Sequence, residues 1–481
     1  MKNQYKGRKN NKTKTSKARI QDLQLLPVQK NDVIEARVDG QGNGGEGVLR
    51  IEGFPLFIPG VLPGEFVRAK VLRVNKSHGF ARLEEILEQS DQRQIAPCPY
   101  FGVCGGCSIQ HQTYQAQLEF KTERVHDCFV RIGGFKEVEV LPTIGMEFPW
   151  CYRNKVQMPV GRKEGAVQVG FYKGRSHDIV DIKECLIQNK PSDRIANALR
   201  EWIKTYHIPT LDREDDIKEG AVRHLLIREG RSTGQLLAVL VATSKEIEHL
   251  DELKEMMQEA EPSLTGLVLN VNNEVTNRVL GADNTTVWGE AFIIDNIGEL
   301  QYRISPHSFF QVNPEQTKRM YDKVAELAEL KGHEHILDLY CGAGSIALYL
   351  AKKAGFVTGV EVIPEAIEDA NYNKHLNKID NAEFILGKSE ELIQQLMAEG
   401  KNPDLVIVDP PRKGCDETLL KAIGESKINR MIYVSCDPAT LARDFKILQP
   451  FGFALQVIQP YDNFPQTHHV ETVVLITREN K

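Results

Sequence analysis

Three short stretches of this 481-residue chain carry side chains able to do covalent and acid–base chemistry. In Ser435-Cys-Asp-Pro-Ala-Thr-Leu-Ala-Arg-Asp444, a strand-like run (RMIYVS) gives way to a helix. Asp437 is suited to the N-cap and Pro438 to the first helical position. Cys436 then lies at a strand end, just ahead of a helix N-terminus. The helix dipole favours a thiolate there, with Arg443 as a second support. Cys436 therefore reads as a nucleophile; the plainer alternative is a packing cysteine. Asp409-Pro-Pro-Arg-Lys-Gly414 ends another apolar run, DLVIVD. Its two prolines remove backbone donors and stiffen the loop, leaving Asp409 to face a ligand. Arg412 and Lys413 suit phosphate or are ordinary surface charge. His468-His-Val-Glu471 opens the last strand-like run. Glu471 is a candidate general base, with His468 and His469 as rivals.

A ligand pocket is indicated upstream. Asp338-Leu-Tyr-Cys-Gly-Ala-Gly344 follows a strand pattern and precedes a helix pattern, and Glu361 ends the next strand 17 residues after Gly344. Small residues let the chain turn tightly and a ligand approach the backbone. An acid at the end of the next strand is where a ribose-binding carboxylate belongs; a solvated strand-end acid is the alternative. The third glycine of a dinucleotide fingerprint is missing. The pattern looks instead like a class I methyltransferase, with S-adenosyl-L-methionine as ligand. Loops of the DPPY type serve amino-methylases, but Arg412 stands in place of the tyrosine. A cysteine nucleophile has a use if the target is carbon 5 of uracil, a poor nucleophile by itself. Thiol addition at carbon 6 makes an enolate that can accept a methyl group, after which a base must remove the carbon 5 proton. The base would have to leave its stack to reach the pocket.

The elements that must position these residues follow from periodicity. From about residue 306 strands and helices alternate: HILDLY, SIALYLAKKA, FVTGVEV, PEAIEDANYNKHL, AEFIL, SEELIQQLMAE, DLVIVD, ETLLKAIGE, RMIYVS and PATLARDFKIL. Apolar strands alternating with helices imply a doubly wound parallel sheet. The last two strands, FALQVIQP and ETVVLITR, leave no room for a helix between them and imply an antiparallel hairpin at one edge. A helix is expected from Pro314 to about Leu330, with Asn313 as N-cap, Gln316 at N3 and Met320, Val324 and Leu327 on one face. Residues 90–305 read as an α+β region, with a helix from Thr113 to about Ile132. Residues 28–88 carry short alternating runs separated by glycine and proline, the signature of a small β-barrel. Such barrels often bind oligonucleotides, although a purely structural module has the same pattern.

The bulk composition is that of a multidomain globular chain, 41% apolar and 26% charged. No apolar run is long enough for a membrane span and the N-terminus has no apolar signal core, so a cytoplasmic protein is expected. The net charge of −6 is uneven: residues 1–20 hold eight Lys or Arg and no acid. A basic arm on an acidic body fits a nucleic-acid partner or a solubilising tail. Of nine cysteines, Cys98, Cys104 and Cys107 are clustered. In a chain expected in the cytosol that spacing suggests metal, and spacing alone leaves zinc and iron–sulfur equally open.

DLYCGAGSIAL, DPPRKG, SCDPATLARD, HHVE and His307-Ser-Phe-Phe-Gln-Val-Asn313 together resemble the RNA 5-methyluridine methyltransferases, over roughly residues 28–481. The resemblance implies S-adenosylmethionine ligands at Gln311, Tyr340, Glu361 and Asp409, nucleophile Cys436 and base Glu471. It selects Cys185, over Cys128 and Cys151, as fourth partner of Cys98, Cys104 and Cys107, and implies a 4Fe-4S cluster. It does not imply radical chemistry, whose cysteine triplet is spaced differently. The implied organisation is a disordered basic arm (1–27), a TRAM/OB-like β-barrel (28–88), a central α+β domain with the iron–sulfur cluster (89–305) and a C-terminal α/β class I methyltransferase (Rossmann-like) domain (306–481). A TRAM-like barrel implies 23S rRNA as the partner, with one or two target uridines, and the expected state is a monomer. Transfer RNA is the alternative substrate. A non-catalytic RNA-binding assembly factor is the alternative of another class.

Overall fold

Turn residues and a two-residue alternation dictate the first strands. A computed structural model describes residues 26–211, 220–399 and 402–478. Of the basic arm, residues 1–25 lie outside them. Strands β1 (Val33–Arg37), β2 (Gly40–Gln41), β3 (Gly47–Ile51), β4 (Phe54–Ile58), β5 (Phe66–Val74) and β6 (Gly79–Glu88) form one sheet in the order β1-β5-β6-β4-β3-β2. Along β4, Phe54, Leu56 and Ile58 point inward and Pro55 and Phe57 outward, as the pleat requires. Leu49, Leu56, Ile58, Val67 and Val71 fill its interior. Residues up to 97, with 108–116, form one compact unit; 98–107 and 117 onward form a second.

The second unit begins its regular structure with helix α1 (Tyr114–Cys128), which joins it from Gln117 on and ends in a π turn over Phe129–Gly133. Then come β7 (Lys155–Lys163), β8 (Ala166–Tyr172), β9 (Ile179–Asp181), α2 (Lys190–Thr205), β10 (Val222–Glu229), β11 (Leu236–Ala242), α3 (Leu250–Ala260), β12 (Leu264–Val271) and β13 (Asp283–Gly289). The strands make a mixed seven-stranded sheet, β13-β12-β11-β10-β7-β8-β9. Strand β11 is LLAVLVA and wholly buried, so it shows no alternation. A hairpin of β14 (Ile293–Ile297) and β15 (Leu300–Ile304) follows.

The last part contains α4 (Pro314–Ala328), β16 (His335–Leu339), α5 (Ser345–Ala351), β17 (Phe356–Glu361), α6 (Pro364–Leu376), β18 (Ala382–Leu386), α7 (Ser389–Ala398), β19 (Leu405–Val408), α8 (Glu417–Glu425), β20 (Arg430–Ser435), α9 (Pro438–Leu448), β21 (Phe453–Tyr461) and β22 (Glu471–Arg478). The sheet order is β18-β17-β16-β19-β20-β22-β21. Strands β16 to β20 are mutually parallel; β22 runs against β20 and against β21. The edge hairpin thus forms as expected, with β22 on its inner side. The two predicted caps are present: Asn313 accepts from the Gln316 amide at 3.3 Å and Asp437 from the Ala439 amide at 2.9 Å. Among the described residues, no helix is long and apolar enough to cross a membrane.

Candidate active site

Parallel strands deliver their carboxyl ends to one edge. Tyr340 follows β16, Glu361 ends β17, Asp409 follows β19 and Cys436 follows β20. The strand order reverses between β16 and β19, and open α/β sheets bind ligands beside such a switch point. Strand β22 enters this edge from the opposite direction. Thr472 pairs with Ser435 at the end of the ladder, so Glu471 and Cys436 are the next residues on their two chains, and Glu471 is within electrostatic range of the thiol. Two residues 35 positions apart in sequence therefore meet because one strand is antiparallel.

The glycine loop is built from left-handed residues: Tyr340 (φ 65°), Gly342 (φ 54°) and Gly344 (φ 76°). The Gly342 amide donates to Glu361 Oε2 at 3.2 Å, and the Val362 and Ile363 amides donate to Glu361 Oε1 at 2.7 and 3.1 Å. The Glu361 carboxylate is thus tied to the loop it faces. Gln311 is buried; its carbonyl accepts from Asn154 at 3.0 Å and its side-chain oxygen from Asn463 at 3.4 Å. The Tyr340 hydroxyl accepts from the Asp416 amide at 3.5 Å.

Asp338, in β16, did not stand out as a site residue in the sequence. It is buried, and neither carboxylate oxygen has a partner at bonding geometry among the described residues. Burial, then the charges of Asp409 and Glu361, push its carboxyl well above the usual range. The Ala347 amide works in the other direction, and a buried acid so weakly satisfied is costly unless a ligand supplies donors. The available signal was the acid interrupting the apolar run HILDLY. These donors and acceptors fit a nucleoside ligand carrying a cationic sulfonium. A Cβ on Gly344 would lie 2.6 Å from the Phe384 ring, at a φ that L-residues avoid. Gly344→Ala is therefore expected to weaken S-adenosylmethionine binding at least about tenfold, measured by calorimetry.

The other end of the pocket gathers acids around the thiol. Glu471 is buried and its Oε2 has no hydrogen-bond partner among the described residues. Burial, then Asp409, raise its carboxyl well above the usual range, and Arg412 works in the other direction. Burial likewise lifts Asp409 to about 7. Cys436 is half-buried; burial first, then Glu471 and Asp409, push its thiol up to about 12, against the pull of Arg412.

This corrects the expected electrostatics. Arg443 does not serve the thiol: its guanidinium bonds the buried Asp444 and the Lys413 carbonyl. The cation that acts on both Cys436 and Glu471 is Arg412. The rings of His468 and His469 lie against one another, tilted by 41° with centres 4.1 Å apart. Burial, then neighbouring positive groups, lower them to about 4 and about 3, so both are neutral rings near pH 7.

The four cysteines expected to share a cluster lie in one neighbourhood. Cys107 and Cys185 pack against the same apolar group of Met146, Tyr152 and Ile187. Cys104 is within electrostatic range of both Cys98 and Cys185. They are not drawn into a ligand set: among the described residues, no group of three or more His, Cys, Asp or Glu is arranged to hold a metal ion. Cys128 is a core residue at the end of α1.

Comparison with known proteins bears on the whole chain. Residues 245–479 match the family model described as tRNA (uracil-5-)-methyltransferase, and residues 27–83 match the TRAM domain. An uncharacterised RNA methyltransferase of Halalkalibacterium halodurans is 45% identical over 95% of this chain and 99% of its own. One from Clostridium acetobutylicum is 45% identical with the same coverage. The tRNA (uracil-54, C5)-methyltransferase of Pyrococcus abyssi, solved with S-adenosyl-L-homocysteine, superposes with a TM-score of 0.74. It is 31% identical and the match covers 92% of this chain and 99% of that one. Near-complete coverage at this identity, on a sheet whose edge carries the motif residues, places the chain in the S-adenosylmethionine-dependent RNA uracil-5-methyltransferase family, with a TRAM domain toward its N-terminus.

Proposed function

We propose that the chain methylates carbon 5 of uridine in 23S rRNA, with Cys436 as nucleophile and Glu471 as base. The observation that supports the mechanism is that both residues follow the last rung between β20 and β22, with the charges of Glu471 and Asp409 acting on the thiol. The Cys436 sulfur adds to carbon 6 of the uracil, and the electron pair of the 5,6 bond moves toward carbon 5 and oxygen 4. Gln311, Tyr340, Glu361 and Asp409 would hold S-adenosylmethionine, which would supply the methyl group that carbon 5 takes while its sulfonium becomes a neutral thioether. Glu471 then takes the carbon 5 proton, and the electrons of that C–H bond restore the 5,6 double bond as the thiolate leaves.

Arg412 offsets negative charge at both residues. Cys98, Cys104, Cys107 and Cys185 would hold a 4Fe-4S cluster; their shared neighbourhood and thiol chemistry support this, they would have to draw together to ligate it, and no catalytic step is assigned to it. We read the division 28–88, 89–305 and 306–481 as RNA-binding barrel, cluster-bearing domain and catalytic domain of a cytoplasmic monomer.

Transfer RNA is the second reading, and a specific observation favours it. The archaeal tRNA enzyme matches 92% of this chain, too much to omit the barrel, so a barrel does not by itself mark a ribosomal substrate. Mass-spectrometric mapping decides between them. Cells lacking the protein should lose 5-methyluridine at one or two sites of 23S rRNA and keep it in tRNA; the opposite pattern overturns the rRNA assignment. Anaerobically purified protein should contain iron and sulfide in equal amounts. Zinc without sulfide would refute the cluster.

A further inference from the structure

Helix α1 carries polar side chains where a packing face would be apolar. Gln117 and Lys121 are both fully buried, and Arg124 is half-buried. Positions 117, 121 and 124 recur at helical spacing and form one stripe. All three grip the same nine-residue connection, 462–470, that joins β21 to β22 and delivers Glu471. Gln117 Nε2 donates to Gln466 Oε1 at 3.0 Å, and the Gln466 amide donates back to Gln117 Oε1 at 3.1 Å. Lys121 donates to the Asp462 carboxylate and, at 3.1 Å, to the Phe464 carbonyl. Arg124 donates to the His468 carbonyl.

Two further side chains hold the connection from other directions. Tyr152 donates to the Pro465 carbonyl at 3.2 Å and Asn313 to the Asn463 carbonyl at 3.2 Å. Gln466 itself has φ 69°, a left-handed backbone that a side-chain-bearing residue adopts only when its surroundings impose it. The reciprocal bonds from Gln117 supply that constraint. A buried ion pair such as Lys121–Asp462, with neither side chain exposed, contributes little net stability compared with apolar packing. Its worth is directional: it fixes one register of the connection against the helix. Glu471 follows directly, with one oxygen that has no hydrogen-bond partner among the described residues, and a general base must meet its proton at bonding distance.

We propose that the Gln117/Lys121/Arg124 stripe is a positioning device that sets the approach of Glu471 to the methylated base, and so controls release of product rather than attack by the thiol. The proposal rests on the assignment of Glu471 as base. Cys436 follows β20, which is held on one side by β19, away from the connection, and on the other by β22. Loosening the connection should therefore spare adduct formation and slow adduct resolution.

The test uses the full chain with a uridine-containing RNA and S-adenosylmethionine, in rapid-quench experiments that read denaturation-stable enzyme–RNA adduct and free methylated RNA separately. Arg124→Ala alters a half-buried position and leaves the core intact. Lys121→Met with Asp462→Leu replaces the ion pair by apolar volume. Both are expected to form adduct within about threefold of the unaltered rate and to resolve it about tenfold more slowly, so that adduct accumulates at steady state. Equal slowing of both steps, or of neither, in Arg124→Ala overturns the positioning role, whatever the double variant does. Glu471→Gln is run in parallel. If it forms no lasting adduct, the base assignment itself fails; if it does while Arg124→Ala resolves normally, only the positioning role fails.

Discussion

Glu471→Gln is expected to turn the protein into a trap for its own substrate. After methyl transfer, carbon 5 of the base carries both a hydrogen and the new methyl group. The sulfur–carbon 6 bond cannot break by elimination until that hydrogen leaves as a proton. A glutamine of the same shape cannot accept it. Turnover should fall roughly 10²- to 10⁴-fold, while a covalent enzyme–RNA species survives denaturation and runs as one band on a denaturing gel. Turnover within a few-fold of the unaltered protein would return the base role to another group. His468 and His469 are poor substitutes, because burial holds them at about 4 and about 3, too weak to compete for a proton near neutrality.

Cys436→Ala is expected to abolish both the adduct and methylation, with turnover lost roughly 10⁴- to 10⁶-fold. The environment of the thiol adds a pH dependence whose sign can be worked out. Burial, Glu471 and Asp409 raise it to about 12, so the reactive thiolate is scarce at pH 7 and increases as pH rises. Adduct formation under single-turnover conditions should then climb about tenfold per pH unit between pH 6 and 9, since the whole range lies below the thiol's value. Glu471→Gln removes the second-largest cause of the rise. Its thiol should titrate lower, so at a given pH its adduct should form faster even though it cannot resolve. A rate independent of pH, in stopped-flow or quench measurements, would show that thiol ionisation does not limit the attack. The two variants thus separate the halves of the mechanism: one never starts, the other never finishes.

Much of this was legible without coordinates. The alternation of apolar strands and helices after residue 306 implies a parallel sheet, and a parallel sheet brings Tyr340, Glu361, Asp409 and Cys436 to one edge whatever the details of packing. Asn313 and Asp437 were recognisable as caps because capping is a local reaction between a side chain and the next turn. The short strands of the N-terminal β-module followed from turn residues and two-residue periodicity, both local as well.

What escaped the sequence was set by contacts between distant segments. Strand β13 is mostly exposed, so it does not show the alternation that advertises a strand. The polar stripe on α1 reads as a solvated face until it is found against the 462–470 connection. Asp338 differs from a satisfied buried acid only by the absence of a donor at bonding geometry, which a sequence does not record. Arg443 and Arg412 were both available as cations for the thiol; the choice fell to Arg412 because Asp444 captures its neighbour in the chain. By itself the sequence marked out Cys436 as the candidate nucleophile, the glycine loop and the elements that carry them, because each is encoded in a short run of residues. Only the tertiary structure decided what surrounds the thiol and what steadies the base, because charge and register act through space between segments far apart in the chain.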